Sequence, residues 1–325
     1  MTELLADPTD AVLTDSAFLG AIPLLCRSRT HRPPVVVCGV VPLPLSSRDT
    51  APFGLGLPPS STRAGRVRNH LLNMLTQRLA FAGCQRNFQR VVGALDLPVP
   101  GMFYLDALPQ LADRFVQLTV PGFEYPRSDL PPSVVFAGPV LPGTSAAAPL
   151  PDWWEDLDGR TVVHVTQGTI DNHDMSSLVG PTLRALADED VLTVAATGGQ
   201  PVESILGPLP DNARVAEFIP YDLLLPQVDV MVTNGGYGGV HYALAHGVPL
   251  VVAGASEDKP EVAARVHWSG TGINLRTGRP TESAIRAAVR STLQESSYRL
   301  RAAELRAEMA RYRPLDIIDS NLAGV

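Results

Sequence analysis

The sequence predicts an α/β chain of two domains, and three observations carry that expectation. Its 325 residues, 45% of them hydrophobic, are enough for two packed cores. From Thr161 onward short apolar runs alternate with helical stretches, the pattern of a parallel sheet with right-handed crossovers. Between the halves, residues 143–151 carry three alanines and two prolines and read as a linker. The expected division is 1–142, linker 143–151, and 152–325.

In the first domain, residues 11–14 form a strand that delivers Asp15 at its C-terminal end, where α/β proteins place functional groups. Ser16 is placed to N-cap a helix reaching about Cys26. Val35 to Val41 is a second apolar strand. The loop after it, rich in Pro, Ser and Gly, is of the kind that shapes binding sites on a rigid scaffold. Residues 50 to 95 contain no acid and six arginines, and Leu71, Leu72, Leu75, Leu79, Ala82 and Phe88 recur at helical spacing. One or two basic amphipathic helices over 63–90 suit a surface that meets lipid headgroups or an apolar acceptor. Alternatively the helix packs on its sheet with solvated arginines, and the scatter of the basic residues favours that reading. Val134 to Pro142 is a strand with a proline-rich exit.

In the second domain the expected strands are 161–166, 191–196, 214–218, 228–233 and 248–253. Helices follow at about 176–187, 202–206, 221–226, 239–246 and 260–268, with one long helix or a pair over 281–311. The domain is organised around Val228–Leu275. Val228, Val230, Met231 and Val232 form a buried strand, and Gly235, Gly236, Gly238 and Gly239 follow within a few residues. Then a helix runs to His246 and closes at Gly247. Free N–H groups at the helix start, its positive dipole end and the small glycines together make an anion site. A second strand, Val248–Ala253, leads to the polar cluster Ser256-Glu257-Asp258-Lys259, then Arg265 and the turn Gly270–Gly272.

This stretch resembles the donor-sugar signature of nucleotide-sugar glycosyltransferases, specifically the UDP-glycosyltransferase group that includes bacterial macrolide and glycopeptide enzymes. Thr233, Gly235, Gly236, Gly238, Leu244, Gly247, Val248, Pro249, Asp258, Arg265, Gly270 and Gly272 match that pattern with its spacing intact. The resemblance implies the GT-B architecture of two Rossmann-like domains, the first incomplete here. It departs at Asn234, where the family has histidine, and at Gly239, where it has serine. Tyr242 replaces the ribose-binding glutamate and Lys259 replaces a glutamine. Asn234 still carries an amide that can donate to a phosphate oxygen, and Glu257 is a candidate to take over the ribose.

Further positions follow from the same resemblance. Thr166-Gln167-Gly168-Thr169 looks like the phosphate-side glycine loop. Phe218 and Pro220 stand where relatives hold the base, with ordinary strand-end packing as the equal alternative. Asp258 is the expected partner of the sugar hydroxyls, with Lys259 beside it. Asp15 looks like the acid that orients a catalytic histidine, and that histidine belongs to an upstream strand of the acceptor domain, which is expected to be missing. A chain lacking it is expected to transfer sugar slowly or not at all. The function implied is inverting transfer of a hexose from a UDP- or TDP-type sugar to a hydroxyl of a small apolar or lipid-like acceptor. The alternative is a nucleotide-sugar-binding or helper protein that has lost catalysis; a nucleotide-sugar epimerase shares the architecture by analogy only.

The remaining composition narrows the class. A net charge of −7 argues against a dedicated nucleic-acid binder. Cys26, Cys38 and Cys84 show no metal or disulfide spacing and fit a reducing cytoplasm. The seven histidines lack paired ligand spacing, so no metal or other cofactor is expected beyond the nucleotide sugar as co-substrate. His164 reads as a core histidine, and His173 is a loop residue with access to a cleft as its less conservative reading. No apolar run is long enough to span a membrane, and Glu3 and Asp7 do not fit a secretory signal.

Overall fold

A computed structural model describes residues 9–143 and 150–324. It divides into two compact units, Met1–Val140 with Tyr312–Val325, and Leu141–Arg311. Of the expected linker, residues 144–149 lie outside the described residues.

In the first unit, β1 (Val12–Asp15), β2 (Val35–Gly39), β3 (Arg114–Gln117) and β4 (Val134–Phe136) pair in parallel in that order. β3 escapes the sequence reading because it is only 4 residues long and ends in polar groups at both sides of Phe115-Val116. The helix expected from Ser16 to about Cys26 ends there but does not start at Ser16. The Asp15 Oδ1 accepts the N–H groups of Ala17 (2.7 Å) and Phe18 (3.1 Å), which forms a turn, and Ser16 Oγ accepts the Val40 N–H. Helix α1 (Ile22–Leu25) starts only later, with Pro23 in its first turn. Its Ile22, Leu24 and Leu25 join Val35, Val37, Leu43 and Phe115 in one core.

Three more helices follow: α2 (Arg63–Leu75), α3 (Ala82–Gly93) and α4 (Ala107–Leu111), with Ala107 and Leu108 in the core. Thr76–Ala80 joins α2 to α3 through a wider π-turn. The expectation that α2 lays its leucines on the sheet is overturned. Its inward stripe is polar: Asn69 Nδ2 donates to the carbonyls of Arg48 (3.1 Å) and Ser60 (3.3 Å), and Asn73 Nδ2 donates to that of Thr50 (3.1 Å). Gln77 Nε2 continues the stripe to Ser46 Oγ at 3.0 Å. Leu71, Leu75 and Leu79 face out, and of the expected apolar set Phe88 is the residue packed against the core.

The second unit holds β5 (Val162–Thr166), β6 (Leu192–Ala196), β7 (Ala213–Ala216), β8 (Val230–Thr233), β9 (Leu250–Val252) and β10 (Gly272–Asn274). All pair in parallel, in the order β10-β9-β8-β5-β6-β7. β5, β6, β8 and β9 are buried throughout, as their valine-rich runs require. The expected turn at Gly270–Gly272 runs straight into β10, a strand that was not expected; Gly272 lies so close to β9 that a Cβ would come within 1.9 Å of the Leu250 carbonyl oxygen. Helices α5 (Val179–Ala185), α6 (Tyr221–Leu224), α7 (Tyr237–Ala245), α8 (Lys259–Trp268), α9 (Glu282–Gln294) and α10 (Ser296–Met309) complete it. The helix expected at 202–206 is a single tight turn, and the stretch 281–311 breaks at Glu295 into α9 and α10. α5 and α9 cover one sheet face, where Leu178, Leu183, Ile285 and Val289 meet Val163, Val165, Val230 and Val232.

Helix α11 (Pro314–Ala323) places Ile317, Ile318 and Leu322 against Val36, Val116 and Ala137. The second unit therefore ends at Arg311 and not at 325. Among the described residues no helix is long and apolar enough to cross a membrane.

Candidate functional site

The strand order of the second unit locates its crevice. From β5 the chain builds outward one way through β6 and β7, then returns to the other side of β5 and builds through β8, β9 and β10. The reversal lies between β5 and β8, and open parallel sheets bind ligands beyond the strand ends at that point. Two loops meet there, Gln167–Asp174 after β5 and Asn234–Gly236 after β8.

The second loop turns on Gly235. Its φ of +86° belongs to the left-handed region, and a Cβ would lie 2.7 Å from Val252 Cγ1, so glycine is required. Gly236 is the N-cap of α7, and Gly238 and Gly239 sit in its first turn, each with open space where a Cβ would stand. The first N–H groups of a helix have no intrahelical acceptor, so this end offers donors and a positive dipole to an anion. Gly168 also has a positive φ of +72°, while Thr169 beside it is exposed.

The amide side chains tie the loops together. Asn234 Nδ2 donates to the carbonyl oxygens of Gln167 (2.6 Å) and Asp171 (3.3 Å), so it serves the fold at the place where a free donor to phosphate was expected. Gln167 Oε1 accepts the N–H groups of Leu178 and Val179 at 3.1 Å and caps the start of α5. Asn172 Nδ2 holds the carbonyls of Gly168, Thr197 and Gly198 within 3.0 Å. These roles were not visible in the sequence; the available signal was a cluster of amide residues around strand-end glycines, where turns leave carbonyls to be satisfied.

Lys259 closes the arrangement. It is 4% exposed, and its Nζ reaches Asp171 Oδ2 at 3.0 Å, Ser256 Oγ at 3.1 Å and the Glu257 carboxylate. Burial disfavours its charged form, but the Glu257 and Asp171 carboxylates outweigh that and raise the ammonium above its ordinary value. Hydrogen bonds from Ser256 and Lys259 lower Asp171 in turn. Asp258, half-buried at the start of α8, is raised by burial, with the Glu257 charge adding to it. A cavity of about 580 Å³ is lined by Gln167, Asp171, His173, Asn234, Ser256 and Lys259, with Arg279 at its side. Of the sequence-derived donor residues it brings together Asn234 and Lys259; Glu257, Asp258, Phe218, Pro220, Tyr242 and the glycines lie outside its lining.

Tyr242 stands in an aromatic row. It stacks on Tyr221 with ring centres 5.7 Å apart, and the Tyr221 hydroxyl lies 2.8 Å from His164 Nε2. Complete burial pushes His164 down to about 4, and burial pushes Tyr221 up to about 12, so both are neutral. Tyr242 is raised by burial and by the nearby Asp222 carboxylate, a charge that the sequence reading did not consider. Phe218 is 67% exposed, its ring lying over Gly199, whereas Pro220 is buried at the start of α6. In the first unit, Asp15 ends β1 exposed, its Oδ1 held by the turn described above.

The model of the erythromycin biosynthesis protein CIII-like C-terminal domain matches residues 181–322. The 4'-demethylrebeccamycin synthase of Lentzea aerocolonigenes is 49% identical over 325 residues, covering 98% of this chain and 76% of the relative. UDP-glycosyltransferase 2 of Phaeomoniella chlamydospora is 39% identical, covering 96% and 70%. The crystal structure of the calicheamicin glycosyltransferase CalG4 superposes with a TM-score of 0.73 at 23% identity, over 99% of this chain and 76% of that one. The chain therefore belongs to the nucleotide-sugar glycosyltransferases of the GT-B fold, in the UDP-glycosyltransferase family.

Proposed function

We propose that the chain moves a hexose from a UDP- or TDP-type sugar to a hydroxyl of a small apolar acceptor, with inversion. The observation that carries this reading is the β8–Gly235–α7 corner at the sheet's switch point, an uncapped nine-residue helix start open to a diphosphate. In the reaction the acceptor oxygen attacks the anomeric carbon as the bond to the diphosphate breaks. The diphosphate leaves with the electron pair, its charge met by the N–H groups of the Gly236–Gly239 turn. Asp258 serves the sugar hydroxyls, Phe218 the base, Gly168 and Thr169 the phosphate side, and Asp15 orients the group that removes the acceptor proton. Glu257 or the Asp222 carboxylate beside Tyr242 answers the ribose. No cofactor is invoked beyond the co-substrate. The family membership and the relative named as a UDP-glycosyltransferase support the donor class.

A second reading, a nucleotide-sugar-binding protein without turnover, is favoured by the Asn234 amide, which is held by Gln167 and Asp171. One set of measurements separates the two. UDP or TDP is expected to raise the melting temperature, as a ligand of the folded state does. Gly236→Val is expected to abolish that shift without unfolding the protein, because φ −59° suits valine and a Cβ there meets nothing closer than Asn234 Oδ1 at 3.9 Å. Asp258→Ala is expected to weaken UDP-glucose binding by calorimetry while leaving UDP unchanged. Mass spectrometry of products with phenolic and lipid acceptors then distinguishes transferase from binder. A full shift in the valine variant overturns the placement of the phosphates.

A further inference from the structure

We propose that the helical stretch formed by α2, the π-turn and α3 is a docking surface for an anionic lipid bilayer. Val67, Leu71, Leu75 and Leu79 follow one another at intervals of four along one side and are 61%, 46%, 48% and 72% exposed. The opposite side carries Asn69, Asn73 and Gln77, all hydrogen-bonded to the loop 46–60. α2 and the π-turn are thus attached through their amides and leave a leucine ridge in solvent. The ridge spans roughly 18 Å, long enough to lie along a membrane surface and too short to cross it.

Charge selects the occupant. Residues 50–95 hold no acid. Arg63 precedes Val67 by one step of four, Arg78 adjoins Leu79, and Arg86 lies in the first half of α3; all three are exposed and form no ion pair among the described residues. A cationic rim around an apolar ridge matches phosphate headgroups above acyl chains. The net charge of −7 makes the chain as a whole repel such a surface, so binding through this one basic side fixes the orientation. A second copy fits less well, since a self-complementary contact along the ridge brings arginine against arginine. A small apolar ligand needs a concavity, and the cavity beside this helix is polar, lined by Ser46, Arg48, Asn73, Gln77 and Asp129, with Arg78 between it and the ridge.

The test is sedimentation of the full chain with sucrose-loaded vesicles, neutral phosphatidylcholine against the same lipid with about 30% phosphatidylglycerol. The expected result is about tenfold or more tighter binding to the anionic vesicles, largely lost in about 0.5 M salt. The double variant Leu75→Glu with Leu79→Glu is expected to stay in the supernatant while keeping its circular dichroism and melting temperature, because both side chains are already exposed. Replacing Arg63, Arg78 and Arg86 by Gln is expected to reduce binding to the neutral-vesicle level. Absence of sedimentation with anionic vesicles overturns the proposal. So does binding that survives the leucine changes, or a dimer that those changes split in light scattering while vesicles leave it in solution.

Discussion

Helices α2 and α9 are both 13 residues long and both start on a threonine whose hydroxyl accepts an N–H three residues on. They turn opposite faces inward. α9 buries Ile285, Ala288 and Val289 against the valines of its sheet and leaves Arg290 outside, paired with Glu189. α2 buries Gly65 and Asn69 and leaves Val67, Leu71 and Leu75 outside. The period of a sequence groups residues on one face; what lies opposite decides which face goes in. α9 meets an apolar sheet. α2 meets the loop 42–60, whose five prolines lack N–H groups, so carbonyls outnumber donors there. The side-chain amides of Asn69 and Asn73 supply the missing donors.

The largest expected effect is the contrast in burial. Ile285, fully buried, is expected to lose about 2–5 kcal/mol of stability on change to Ala, while Leu75→Ala stays within about 0.5 kcal/mol. Urea unfolding followed by circular dichroism measures both. Comparable losses at the two positions would break the comparison, since Leu75 would then be packed in solution.

A second effect separates the polar groups that each unit buries. Those inward from α2 are amides and do not titrate, whereas β5 buries His164 with its Nδ1 2.9 Å from the Val194 carbonyl. Its folded value of about 4 lies below the ordinary 6.5, so the unfolded chain takes up a proton first as the pH falls. The associated stability is complete above 6.5 and is lost between 6.5 and about 4, by about 3 kcal/mol in all. His164→Gln, which keeps an amide for Val194 and Tyr221, is expected to flatten the urea midpoint across that window. An unchanged slope in the variant would assign the acid sensitivity to other groups.

Legibility in the sequence followed the same division. The runs at 161–166, 191–196, 228–233 and 248–253 announce strands because Val163, Val194, Val232 and Val251 are buried on both faces of a parallel sheet. The turn at Gly235 was readable as geometry, since four glycines after an apolar strand imply a close approach. β3 and β10, at 4 and 3 residues, are too short to carry a period. The use of the Asn234 amide depends on Gln167 and Asp171, more than 60 residues away in the chain, and no local pattern encodes that. α11 was not expected at all; its partners Val36 and Val116 lie in the same unit but some 200 residues or more earlier in the chain, which no local pattern encodes.

The smallest expected effect probes the reversed face itself. Asn69 is fully buried, and its Nδ2 is shared between the carbonyls of Arg48 and Ser60. Changing it to Ala leaves buried acceptors without that donor, at a cost of about 1–3 kcal/mol. Asn69→Leu is the sharper probe, because it nearly preserves side-chain volume and makes α2 look more like α9. An apolar inward environment would accept leucine with little loss or a gain. Opposite the carbonyls of a proline-rich loop, leucine restores no donor and is expected to be at least as damaging as alanine. The readouts are the urea midpoint and hydrogen exchange of the Asn69–Leu75 amides, which protection by the anchored helix should slow in the wild type. A leucine variant as stable as the wild type would mean that α2 turns its apolar side inward in solution, and the leucine ridge would no longer be available to a membrane.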